Sequence, residues 1–104
     1  MLLKNVEAIN SPYPLFVARD EEDINIIEFS NGANNLRISR EEAKKILTLE
    51  TTDCIKFSDK SAMQFWKPED EEPEVMIYFY KKDEIDLVIV RYDEFKIMLE
   101  IALR

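Results

Sequence analysis

The stretch LRISREEAKKIL, Leu36 to Leu47, reads as a strand running into a helix, and LVIVRYDEFKIML, Leu87 to Leu99, reads the same way. With Ile38 set against Val90 the offset is 52 residues (90 − 38), and Glu41 and Glu42 then fall on Asp93 and Glu94, Lys44 on Lys96, and Leu47 on Leu99. In the first copy Ser39 can accept from the amide of Glu42 while Glu42 reaches back, a capping box, and both helices open with an acidic first turn that suits the helix dipole. Ala43, Ile46 and Leu47 form one apolar stripe, and Phe95, Met98, Leu99 and Ala102 form the other at spacings of three and four.

Working outward, INIIEF (Ile24 to Phe29) lies over MIYFYK (Met76 to Lys81), and RDEED (Arg19 to Asp23) faces EDEEPE (Glu69 to Glu74) after a gap of about two residues. Further back, PLFVA (Pro14 to Ala18) pairs with AMQFW (Ala62 to Trp66), and EAINS (Glu7 to Ser11) loosely with IKFSD (Ile55 to Asp59). A repeat of about 50 residues follows, with units at about 4–50 and 53–104. Each unit reads as four strands and a helix. The expected fold is α+β: tandem ββββα-like repeats in one domain, with antiparallel sheets packed against two helices.

Two local signals sharpen this. Asn31 precedes Gly32, the sole glycine, which predicts a hairpin. In EVMIYFYKK, Val75, Ile77 and Phe79 alternate with Met76, Tyr78 and Tyr80, so both faces are apolar, as in a strand packed on two sides or one whose second face is an interface.

The 104 residues suffice for one core without metal or disulfide. Fourteen basic and 22 acidic residues give a net charge of −8, divided as −3 to Thr52 and −5 beyond it (6 − 9 and 8 − 13), so the average field repels phosphate backbones and anionic lipid. Histidine is absent, which removes the commonest general base and metal ligand. With no glycine-rich phosphate loop and no activated Ser or Cys pair, no catalytic constellation emerges, and no cofactor is expected. The single Cys54 reads as a small buried hydrophobe in a strand. The start, MLLKNVEAIN, lacks the apolar core of a signal peptide, and no run approaches a membrane span, so a cytoplasmic protein is expected.

The candidate site residues are two acidic runs and their neighbours. Asp20, Glu21, Glu22 and Asp23 form the first, and Glu69, Asp70, Glu71, Glu72 and Glu74, bracketed by Pro68 and Pro73, form the second. Calcium loops need carboxylates at alternating positions with a glycine to fold the chain, so no metal site is expected. The runs either solubilise a sheet protein or present a negative surface to a basic partner, with Phe65 and Trp66 as aromatic anchors beside the second run. Ile97 and Ile101 lie away from the core stripe of their helix and are read as a dimer contact or as packing on the other repeat.

In its order of elements, and at its two strand-to-helix junctions, the chain resembles the PUR-repeat, whirly-type and transcriptional-coactivator single-strand-binding families. The resemblance implies interlocked units that bind single-stranded nucleic acid on the sheet. Phe16, Phe65, Trp66, Tyr78 and Tyr80 would then stack on bases, and Lys56, Lys67, Lys81 and Arg91 would meet phosphates. The acidic balance of both halves departs from that pattern. The reading carried forward is therefore a non-catalytic, acidic protein of inhibitor, immunity or anti-defence type that presents a nucleic-acid-mimicking carboxylate surface to a basic protein. The alternative is a single-strand nucleic-acid-binding regulator.

Overall fold

A computed structural model describes residues 5–48, 54–58, 60–66 and 70–104, and for Ser58 the backbone alone. The first unit runs β1 (Asn5–Val6), β2 (Leu15–Arg19), β3 (Ile26–Ser30), β4 (Asn35–Ser39) and α1 (Arg40–Ile46). The second runs β5 (Cys54–Ser58), β6 (Ser61–Trp66), β7 (Glu74–Tyr80), β8 (Ile85–Arg91) and α2 (Tyr92–Ala102). Each unit forms one four-stranded antiparallel sheet in chain order, so the α+β class and the two similar ββββα units are as the sequence indicates. No helix among the described residues is long and apolar enough to cross a membrane.

The pairing registers define which residues of the two units are equivalent. Ile27 faces Ile38 in the first unit and Val75 faces Val90 in the second, so upstream of the last hairpin the offset is 48 (75 − 27) and not 52. The sequence overlay of Ile24–Phe29 on Met76–Lys81 is thus displaced by four residues. The cause is that β7 and β8 have seven residues each against five in β3 and β4. Likewise Val17 faces Phe29 where Met63 faces Ile77, an offset of 46 (63 − 17), because the loop between Trp66 and Glu74 is two residues longer than that between Asp20 and Ile26. Every displacement is even, so inward positions stay inward. The Asn31–Asn34 turn carries Gly32 at φ 91°, a conformation that other L residues rarely adopt.

The sheets bury Leu15, Val17, Ile27, Phe29, Leu36 and Ile38 from one unit and Met63, Phe65, Val75, Ile77, Phe79, Val88 and Val90 from the other in a single cluster. Both helices face it, α1 through Ala43 and Ile46 and α2 through Phe95, Met98, Leu99 and Ala102, as their spacing predicts. Phe95 stacks on Phe29 of the other unit with ring centroids 5.6 Å apart, so α2 ties the two sheets into one core. The capping box of Ser39 and Glu42 is present, whereas Arg91 at the start of α2 provides no side-chain cap.

The helix ends are exchanged between units. The side chains of Arg19 and Arg40, from the first unit, donate to the carbonyls of Arg104 and Leu103 at the end of α2. Their equivalents in the second unit, Phe65 and Tyr92, meet edge-on at 4.4 Å and line an apolar crevice shared with Ile46 and Leu47 at the end of α1. A further crossing joins the units at β8. Ala8 bridges Val90, the Ile9 amide donates to the Ile89 carbonyl at 2.7 Å, and Asn10 donates to the Leu87 carbonyl and accepts from the Ile89 amide.

Candidate functional site

The two acidic loops occupy equivalent places. Each joins the second and third strands of its unit, and each ends on a carbonyl that accepts from the first amide of its own helix: Asn25 from Arg40 at 2.7 Å, and Pro73 from Tyr92 at 3.0 Å. That shared bond brings the end of each loop to a helix start.

Within the first loop the acids divide into two groups. Asp20 accepts from the amides of Glu22 at 2.7 Å and Asp23 at 3.1 Å and pairs with Arg37 at 2.5 Å. The bond from the Glu22 amide, then that from Asp23, with the Arg37 guanidinium adding to them, hold its carboxyl below the usual carboxylate range. Asp23 accepts from the Asn25 amide, so these two aspartates shape the loop. Glu21 and Glu22 extend into solvent. In the second loop Asp70, Glu71 and Glu72 are exposed, Glu72 pairs with Arg91, and Glu74 starts β7 half-buried. Glu69 lies outside the described residues, as do Lys67 and Pro68. Among the described residues no group of three or more His, Cys, Asp or Glu could hold a metal ion.

The aromatic neighbours separate. Trp66 is 40% exposed at the end of β6, whereas Phe65 is 4% exposed and belongs to the core. Phe65 is therefore corrected from a surface anchor to a packing residue: consecutive strand residues face opposite ways, and Phe65 shares its face with buried Met63. Cys54 is also corrected, since it stands in a strand but is exposed. Ile97 is 57% exposed on the outer side of α2, with Ile101 partly buried one turn on.

The outer faces of the two sheets are unlike. On the first, Ala18, Glu28 and Arg37 stand in one row, and Arg37 bridges Glu28 at 3.8 Å as well as Asp20. On the second, Trp66, Glu74 and Arg91 form the row at one end, Cys54, Gln64, Met76 and Ile89 the next, Lys56, Ala62, Tyr78 and Leu87 the one after, and Tyr80 with Ile85 the last. Tyr78 and Tyr80 stack at 6.3 Å, and the Tyr78 hydroxyl donates to Gln64 at 2.9 Å. Ile9, held beside Ile89, widens this apolar face and is 49% exposed. Local sequence holds no signal for Ile9, because its place depends on a contact with a strand of the other unit. Of the basic residues that would meet phosphates, Arg91 is paired with Glu72, and Lys81 lies 3.9 Å from Glu84 and 3.5 Å from Asp86. Comparison of the chain with protein-family models, with curated proteins and with solved structures gives no match.

Proposed function

We propose that this is a non-catalytic binding protein that presents its two acidic loops, with Trp66 beside the second, to a basic protein partner. The observation that carries the reading is the duplication of the loop. Each unit suspends a carboxylate run at the same point of the same scaffold, and each leaves glutamates in solvent after its structural bonds are made. Two such runs on a chain of net charge −8 favour encounter with a cationic groove and speed it. The nucleic-acid alternative is weakened by the carboxylates that occupy Arg91 and Lys81 and by the burial of Phe65.

Replacing Glu21, Glu22 and Glu71 by Gln and Asp70 by Asn removes four charges that make no ion pair among the described residues, so the fold should persist. Tagged wild type is expected to retain basic proteins from its native lysate in a salt-sensitive manner, and the neutralised variant to lose them. Equal retention by both would end the charge-based reading. Saturable, salt-sensitive binding of a labelled single-stranded oligonucleotide would favour the alternative in its place.

A further inference from the structure

The acidic character of the chain stops at the outer face of the second sheet. Among the described acidic residues, Glu74 alone lies in its strand-paired rows, at one end and across from Arg91. The middle of the face is Met76, Tyr78, Leu87 and Ile89, partly exposed, and the far end is Tyr80 and Ile85 at 37% and 61%. The Tyr78 hydroxyl in its middle is already satisfied, because it bonds sideways to Gln64, so covering it does not strand that donor. The tyrosine pair is fixed by stacking before anything docks.

We infer that a second copy of this chain covers the face, sheet against sheet, in a twofold dimer. Charge points to a copy as the occupant. Two chains of −8 repel through most of their surfaces, and among the described residues the middle of this face offers a copy apolar side chains with no carboxylate, Glu74 standing at its end opposite Arg91. Area agrees: four strands about 4.8 Å apart, with the Ile9 segment added, and about six residues of about 3.3 Å each, give a face of roughly 20 by 20 Å. With side-chain relief that is on the order of 600 Å² of accessible surface per copy and about 1,200 Å² in all, which reaches the range of stable interfaces. The first sheet is less suited, because the Glu28 carboxylate and Arg37 stand in a row across its outer face, whereas the second sheet confines its one described carboxylate to an end. The dimer leaves Glu74, with the end of the second acidic loop, at its rim.

Sedimentation equilibrium of the full chain over a wide concentration range tests this. The expected mass is that of two chains. Leu87→Lys and, separately, Ile85→Lys should shift the protein to the mass of one chain or weaken association by about tenfold or more. Ile85 is mostly exposed, so its variant should keep the far-ultraviolet circular dichroism of wild type even if the Leu87 variant unfolds. Ile97→Glu should leave the mass unchanged. A wild type that sediments as one chain at every concentration would overturn the inference. So would an Ile85→Lys variant that stays paired or an Ile97→Glu variant that dissociates.

Discussion

Where the second unit sets Phe65 edge-on against Tyr92, the first has Arg19 and Arg40 at the matching positions, and both pairs receive the end of the helix from the other unit. One scaffold therefore closes its two ends by different physics. The end of α1 is met by apolar contact, whereas α2, which has no basic residue in its last turn, receives its cations from the partner unit. A similar division marks the outer faces, with charges in the middle row of one sheet and Met76, Tyr78, Leu87 and Ile89 in the middle of the other. The backbone tolerates this because equivalence lies in register and in the bond from the loop to the helix start, and neither depends on side-chain chemistry.

Substitutions can break the comparison. The largest effect is expected for Phe65→Ala, which opens a cavity among Met63, Val75 and Tyr92 and should lower unfolding free energy by about 3–5 kcal/mol in a denaturant titration. Arg40→Ala, at the position equivalent to Tyr92, removes a charged donor to Leu103 and should cost about 1.5–3 kcal/mol by the same measurement. Equal losses would mean that the two ends are closed alike. Smaller still, Ser39→Ala should cost about 1 kcal/mol through the loss of the capping box, while Arg91→Ala removes no cap.

The last contrast is in pH dependence. Asp20 stands where the second unit has Trp66, and its carboxyl is held below the usual carboxylate range in the folded state. A group with a depressed folded pKa stabilises fully above its unfolded pKa, and that contribution is lost as pH falls through the folded value. Thermal unfolding followed downward from the ordinary carboxylate range should therefore show a loss of stability that Asp20→Asn makes shallower. A variant with the same acid slope as wild type would separate the Asp20 bonds from stability.

The strand-to-helix junctions were legible because capping and helical spacing are local, and the even shifts in the upstream overlays preserved the facing of Ile27, Phe29, Ile77 and Phe79. The offsets of 48 and 46 were hidden, since two residues added to each strand of the last hairpin, and two more to the loop before it, leave the alternation intact. For the candidate site, alternation alone should have allowed Phe65 or Trp66 at the surface and not both. Asn10 and Ile9 on β8, and Arg19 and Arg40 on α2, could not be read locally, because each contact spans more than 60 residues and joins the two units.

The strap formed by Ala8, Ile9 and Asn10 has one more consequence. A bare outer strand such as β8 would offer its amides and carbonyls to any neighbouring chain and invite growth strand by strand into fibres. With Asn10 occupying the Leu87 carbonyl and the Ile89 amide, polymerisation along that border is blocked, and sticky side chains can be exposed on the broad surface next to it without seeding a filament.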